Sequence, residues 1–458
     1  MFLTLSEVGR ILGQKIENPS VVNGVSIDTR TLLHGALFAA IRGTKVDGHD
    51  YLLTAMERGA SAAIVETINE SVELPQICVT NTVDALGVLA NHVRKLQNPT
   101  VIGITGSYGK TTTKDMVATV HGYVSSCHAT VGNFNTEIGL PLTILSAPAD
   151  VNTLVLEMGM RGSGQIAELV RIAEPNIGII TNIGSAHIEL LGSRDAIAAA
   201  KTELFRGLSN DALAVYSDDI AFRDLVDAST SHCRRMIVGE SSTSDLVVSK
   251  VDIGRLETSF TLTYQEESIR ASVASPARFA AMNGALAVAS GLASGMSLVD
   301  CVAGLAKWRP SEGRMRPRKM ANGAVVLSDA YNAAPEAMLA AVSVLADVGS
   351  QASGNSWAVL GEMRELGVET KQWHHAVGEA ITASGIDHLV VVGTSASGYR
   401  TGALTAGMNP DKIHFFETPT NAASVLKQVI GSGDVVLVKG SRAAGLEQIV
   451  NALCEDAA

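Results

Sequence analysis

The chain has 458 residues, of which 46% are hydrophobic and 18% charged, and it carries a net charge of −11. At about 150 residues per domain this length suggests three domains with ample material for cores. No apolar run reaches the ~18 residues that span a bilayer, which argues against membrane insertion, and the acidic balance argues against a nucleic acid held through its phosphates.

The first stretch, residues 1–98, opens with Glu7 and Arg10 inside an apolar pattern. That predicts an amphipathic helix and not a signal peptide. Short apolar runs at Gly35–Ile41 and Ala62–Val65 predict strands, and Gln97, Asn98 and Pro99 read as a linker. The second stretch, residues 99–310, begins with a β-type run at Val101–Ile104. A glycine-rich turn and a helical pattern from Thr112 to Val124 follow. Further runs at Leu154–Leu156 and Ile177–Ile180 alternate with helical segments at Ser163–Ala173 and Arg194–Leu208. Such alternation predicts a parallel sheet covered by helices. Alternating runs at Leu246–Val251, Glu257–Leu262 and Ser268–Val273 suggest an antiparallel insert, before an alanine-rich helix from Pro276 to Leu292. The third stretch, residues 311–458, repeats the strand–helix alternation and predicts a second, smaller, Rossmann-like α/β sheet. Five cysteines without CxxC spacing fit reduced thiols of a cytoplasmic protein better than a disulfide or zinc framework.

Gly106, Ser107, Tyr108, Gly109, Lys110, Thr111 and Thr112 lie between a predicted strand and a predicted helix. Glycines there let several backbone N–H groups converge on phosphate oxygens. Lys110 would reach the β/γ-phosphates, and the Thr111 hydroxyl would ligate Mg²⁺. Ile104 stands at the first Gly position of the general GxxxxGK[ST] pattern. An ordinary glycine-rich turn with an incidental lysine is the plainer alternative, but strand, loop, GKT and helix together favour a nucleotide. A second acid at a neighbouring strand end is then required for the metal, and Glu157 supplies it. His187 follows the next strand, at the sheet edge where ligands bind in open α/β folds. Alone, Glu157 reads as a helix cap, His187 as a surface histidine and Lys201 as a solvated helix lysine with Glu203 nearby.

The segment Ile104–Thr112 resembles the phosphate loop of the Mur ligase family, in which a shorter T-G-x-x-G-K-T signature is usual. Glu157–Gly159 and Asn182–His187 are similar to that family's E-x-G and N-x-x-x-x-H motifs, whose Glu and His contact magnesium. The resemblance implies three domains: a UDP-precursor-binding domain, a central ATPase domain and a C-terminal Rossmann-like domain. It implies ATP and two Mg²⁺ ions, one bridged by Lys201 after carbamylation, with Lys110, His187 and Lys201 catalytic. Arg314 and Asp329 match nucleotide-binding positions. Asn283 matches a position near the adenine, although Arg278 and Phe279 stand where the family often has a His-Asn pair. Asn135 and Thr136 lie in a loop that resembles one beside the substrate and metal. Ser26, Asp28, Arg30, Asp47, Gly48 and His49 resemble the UDP-sugar site.

Tyr331 and Asn332, in a Tyr-Asn-Ala-x-Pro motif, resemble the dipeptide-adding branch. That branch joins D-alanyl-D-alanine to UDP-N-acetylmuramoyl-tripeptide, as a cytoplasmic monomer. A sibling ligase that adds diaminopimelate or lysine to the dipeptide precursor is the nearest alternative; no Asp-Asn-Pro-Arg motif is present for it. A folate polyglutamylating ligase and a P-loop binding module without ligase chemistry are more distant ones.

Overall fold

The computed structural model describes residues 3–186 and 188–454. It contains three sheets, one in each third of the chain. The first is a small, fully parallel sheet of Val25–Ser26, Leu37–Ala39, Ala62–Val65 and Gln76–Cys78, in that order. The predicted N-terminal helix is Leu5–Ile11, closed by a reciprocal cap between Thr4 and Glu7. Helix Thr82–Gln97 leaves this domain. Its start is capped by the Asn81 side chain, which accepts from the N–H groups of Val83 and Asp84. Its end is Asn98, at a left-handed φ of 47°, immediately before Pro99. Chain direction changes there because neither residue favours helix continuation.

The central sheet has nine strands. Its order is Glu267–Val273, Thr258–Tyr264, Leu246–Ile253, Arg234–Gly239, Leu213–Ser217, Ile177–Ile180, Thr100–Thr105, Thr153–Glu157 and Cys127–Ala129. The last seven run parallel; the first two pair antiparallel. Strands buried on both faces read as continuous apolar runs, which is why Thr153–Glu157 and Ile177–Ile180 are buried throughout. The expected antiparallel insert is therefore corrected. Its hairpin exists, but Leu246–Ile253 joins Arg234–Gly239 in parallel and so extends the main sheet. The helix expected from Arg194 to Leu208 is also corrected. It breaks at Thr202 into Arg194–Lys201 and Glu203–Arg206.

The third sheet has the order Arg316–Lys319, Val325–Asp329, Val435–Lys439, Ser356–Leu360, His388–Val392 and Ile413–Phe416. Only the first strand is antiparallel. Val435–Lys439, the last strand of the chain, thus lies near the middle.

One core cluster includes Ile104, Met116, Ala285 and Trp308 of the central unit and Met315, Leu327 and Met338 of the third. Helix Arg278–Ala293 is buried almost all round. It is rich in alanine and glycine because neighbours come close: a Cβ at Gly291 would meet Cys301 Sγ at 2.5 Å. A second cluster joins Leu86, Leu89 and Ala90 of helix Thr82–Gln97 to Ile172 and Ala173 of the central unit. Among the described residues no helix is long and apolar enough to cross a membrane.

Candidate active site

Strand Thr100–Thr105 delivers the glycine-rich loop, and helix Lys110–Gly122 carries the chain away from it. A Cβ at Gly106 would lie 1.9 Å from Thr181 Oγ1, so the loop path admits no side chain there. Gly109 takes a φ of 76° as the residue that starts the helix. The next strand's end clamps the loop. Asn182 Oδ1 accepts from the Tyr108 N–H at 3.0 Å, while the Thr181 hydroxyl and Asn182 Nδ2 donate to the Tyr108 carbonyl at 2.7 and 2.8 Å. Ser107 Oγ accepts from the Gly184 N–H at 2.8 Å. Lys110 folds back on this loop and donates to the Gly106 carbonyl at 2.7 Å. Burial lowers the proton affinity of its ammonium; Glu157 opposes that shift and Arg314 adds to it.

Glu157 ends the strand paired with the loop's own strand, opposite Ile104. It is 3% exposed. One oxygen accepts from Asn135 Nδ2 at 2.8 Å; the other is buried with no partner among the described residues. A buried, unpaired carboxylate oxygen is costly unless something positive meets it. That oxygen and the Thr111 hydroxyl, which line the same cavity, suit a hard cation such as Mg²⁺. Among the described residues no group of three or more His, Cys, Asp or Glu side chains is assembled to hold a metal. His187 lies outside the described residues.

Lys201 is only 1% exposed. Its amine is held well below the usual lysine range, first by burial and then by the Lys110 charge. The plainer alternative, a solvated lysine with Glu203 beside it, does not hold. Glu203 turns away to accept from the N–H groups of Gly164 and Ala167, at the start of helix Gln165–Ala173.

The third unit supplies the opposite wall. Arg314 Nη2 donates to Thr111 Oγ1 at 3.3 Å, and its guanidinium lies 4.0 Å over the Tyr331 ring. Arg442 approaches the same ring at 5.5 Å. Asp329 faces Lys439 in register across the sheet, with Lys439 Nζ 2.6 Å from its carboxylate. Lys439 also donates to the Asn332 carbonyl at 2.9 Å. Asn332 Oδ1 accepts from the Ala333 N–H.

These parts enclose a cavity of about 830 Å³. Its lining includes the expected Gly106 to Thr112, Asn135, Thr136, Glu157, Lys201, Asn283, Arg314, Asp329, Tyr331 and Asn332. Ser26, Asp28, Arg30, Asp47, Gly48 and His49 do not line it. They form local networks in the first unit. Arg30 pairs with Asp28 at 2.6 Å, and Ser26 donates to the Asp28 carbonyl at 2.9 Å. The Arg30 contact holds the Asp28 carboxyl down to about 2. His49 Nε2 accepts from the Glu66 N–H at 2.9 Å. The ring proton therefore sits on Nδ1, 2.6 Å from Asp47.

Several contacts of the lining carried no local signal, although Asn182 opens the segment likened above to the N-x-x-x-x-H motif. Thr181 and Asn182 clamp the loop, and Glu336 accepts from the Ser185 N–H at 2.7 Å between units. Arg194 and Asp219 also line the cavity. Thr181 could also have been flagged, as part of a turn at a strand's C-terminal edge.

The chain matches the family model described as Mur ligase middle domain over residues 104–291. It also matches Mur ligase, glutamate ligase domain over residues 313–442, and Mur ligase family, catalytic domain over residues 21–94. It is 33% identical over 461 residues to the UDP-N-acetylmuramoyl-tripeptide--D-alanyl-D-alanine ligase of Bacillus subtilis (strain 168), covering 99% of this chain and 98% of that protein. The crystal structure of MurF from Acinetobacter baumannii superposes with a TM-score of 0.90 at 28% identity, covering 100% of this chain and 99% of that one. MurF ligase from Thermotoga maritima, solved in complex with ADP, superposes with a TM-score of 0.83 at 29% identity, covering 94% of this chain and 96% of that one. With three family models in order along it and a relative similar over nearly its whole length, the chain belongs to the Mur ligase family.

Proposed function

We propose that this chain is an ATP-dependent ligase that joins D-alanyl-D-alanine to UDP-N-acetylmuramoyl-tripeptide through an acyl phosphate, in peptidoglycan precursor synthesis. The observation that carries this reading is the shared cleft. The phosphate loop with Lys110 and the third unit's Arg314 and Asp329 face one cavity, in a chain 33% identical to a ligase of that name. The reading takes residues 1–98, 99–310 and 311–458 as the three domains, acting as a cytoplasmic monomer.

In the first step an oxygen of the tripeptide's terminal carboxylate attacks the γ-phosphorus of ATP, and the bond to the β-phosphate oxygen breaks. Lys110 exchanges the Gly106 carbonyl for phosphate oxygens, and Arg314 stabilises charge from the other side. Asn283 lies against the loop at Gly109, on the nucleotide side of the cavity. Glu157, the Thr111 hydroxyl and His187 would hold magnesium, which when bound would neutralise charge at the phosphates. The Lys201 amine, kept neutral more readily by its burial, adds to the carbon of CO₂ and loses a proton. The product is an anionic two-oxygen ligand suited to a second Mg²⁺. In the last step the dipeptide's free amine attacks the acyl carbon, phosphate leaves with the bonding electrons, and the nitrogen releases one proton to solvent. Ser26, Asp28, Arg30, Asp47, Gly48 and His49 hold the UDP end, Asn135 and Thr136 the peptide, and Tyr331 and Asn332 the acceptor.

The test is to incubate the purified protein with ATP, Mg²⁺, UDP-tripeptide and dipeptide, following ADP and product. ADP release must require both substrates. Faster joining of one amino acid to the UDP-dipeptide precursor would overturn the reading in favour of a sibling ligase.

A further inference from the structure

Lys114 and Asp115 lie one turn into the helix that follows the phosphate loop, and no step above uses them. Lys114 is a lysine only 6% exposed. Burying an ammonium is expensive unless it is paired and hydrogen-bonded, and both conditions are met. Its Nζ lies 2.5 Å from Asp115 Oδ1 and donates to the Thr130 carbonyl at 2.8 Å.

Each partner leads elsewhere. Asp115 Oδ2 accepts from the Ser311 hydroxyl at 2.6 Å, and Ser311 sits where the chain crosses into the third domain. Thr130, 1% exposed, follows the edge strand Cys127–Ala129. Its Oγ1 accepts from the Glu157 N–H at 3.0 Å. Five residues on, Asn135 Nδ2 donates to the Glu157 carboxylate, and the Asn135 carbonyl accepts from the Gly159 N–H at 2.8 Å. A continuous polar path therefore runs from the interdomain crossing, through an ion pair whose lysine is buried and whose aspartate is partly exposed, to the segment that orients Glu157.

We propose that Lys114 and Asp115 are positioning residues: through Ser311 they couple docking of the third domain to the segment 130–135 that holds Glu157 in place. A displacement of the third domain would take the Ser311 hydroxyl from Asp115 and leave its charge and that of Lys114 to rearrange. The Thr130 carbonyl then loses its anchor. Metal affinity is thereby tied to domain position. This rests on the reading of Glu157 as a magnesium ligand.

The test uses full-length Ser311→Ala, Asp115→Asn and the double variant, with Ser311→Thr as the conservative control. Two readouts are taken. In ligation assays, each single variant raises the Mg²⁺ needed for half-maximal turnover by about tenfold, the scale of a lost outer partner. The maximal rate is less affected. The double variant is no worse than the worse single, because both break one path, and Ser311→Thr restores the wild-type value. In hydrogen–deuterium exchange, Ser311→Ala speeds exchange of amides 130–135, remote in sequence from the change. Unchanged Mg²⁺ dependence together with unchanged exchange overturns the coupling, as do single effects that multiply in the double variant. If the wild type performs no ligation, the functional reading fails, and the exchange experiment alone decides the coupling.

Discussion

Arg314 and Thr111 lie on different domains, and the guanidinium of one donates to the hydroxyl of the other at 3.3 Å. The hydroxyl is the one a P-loop offers to magnesium. On the proposed reading, nucleotide and its metal would take Thr111 over and leave the Arg314 guanidinium facing phosphate. Arg314 also stacks on Tyr331, so it has a second partner that keeps it in the cleft.

Replacing Arg314 by alanine should lower kcat/KM for ATP by about 10²-fold, the scale of losing one preorganised donor. Arg314→Lys should recover little, because a point charge cannot stack or donate as a planar fork does. Steady-state kinetics of both variants check this. Near-wild-type turnover in Arg314→Lys would show that charge alone suffices.

Lys201 should make activity depend on dissolved CO₂. Burial and Lys110 both lower its proton affinity, which leaves neutral amine at lower pH than for an exposed lysine. Degassed, carbonate-free enzyme should lose most of its turnover and regain it with bicarbonate. The loss should deepen as pH falls, because protonation competes with carbamylation. Lys201→Ala should be nearly inactive and partly rescued by a short-chain carboxylate. A free amine found by mass analysis in fully active enzyme would remove the idea.

His121 sets an expected acid sensitivity. It is 2% exposed, meets Ser290 Oγ at 3.2 Å, and burial holds its pKa down to about 4. Its folded value lies below the unfolded ~6.5. The stabilisation is whole above pH 6.5, falls as pH drops below that, and is gone below 4. From pH 6.5 to 5 the central domain should lose roughly 2 kcal/mol of stability. His121→Gln, which keeps a polar partner for Ser290, should flatten that dependence in denaturant titrations.

Acceptor choice should rest on hydrogen bonds made near Tyr331 and Asn332. Asn332 spends its side-chain oxygen on the Ala333 N–H, which leaves the amide NH₂ to donate. A missing partner leaves such groups unpaired, at a cost that can reach ~10⁴-fold in rate. D-alanyl-D-alanine should outcompete D-alanine, L-alanyl-L-alanine and diaminopimelate with UDP-tripeptide as donor. Asn332→Ala should raise KM for dipeptide more than KM for ATP; an equal rise in both would assign Asn332 to the nucleotide.

The phosphate loop was legible because its signals are local: an apolar run, glycines and a GKT sequence adjoin one another. Glu157 was legible for the same reason, as an acid at the end of a buried run. What escaped depends on partners far along the chain. Asn182 clamps Tyr108 from 74 residues away, and Glu336 reaches Ser185 from 151. Nothing in either neighbourhood names the other. The hairpin after Leu246 was readable as a hairpin, but its parallel pairing with Arg234–Gly239 is set by tertiary placement. The plainer alternative for Lys201, a solvated lysine with Glu203 nearby, fails because Lys201 is buried and two positions apart on a helical path do not share a face.

The third sheet is completed from its middle. Val435–Lys439 pairs with Val325–Asp329 on one side and Ser356–Leu360 on the other. During synthesis the flanking strands leave the ribosome first and wait, edges open, for a strand that begins 75 residues after Leu360 and 106 after Asp329. Until then they are exposed to wrong partners, because unpaired edges invite them. Chains arrested before Lys439 should be cut in the third domain by a protease that spares the central one. The same strand carries Lys439 to Asp329, so the nucleotide side of the cleft is finished only when the domain itself is.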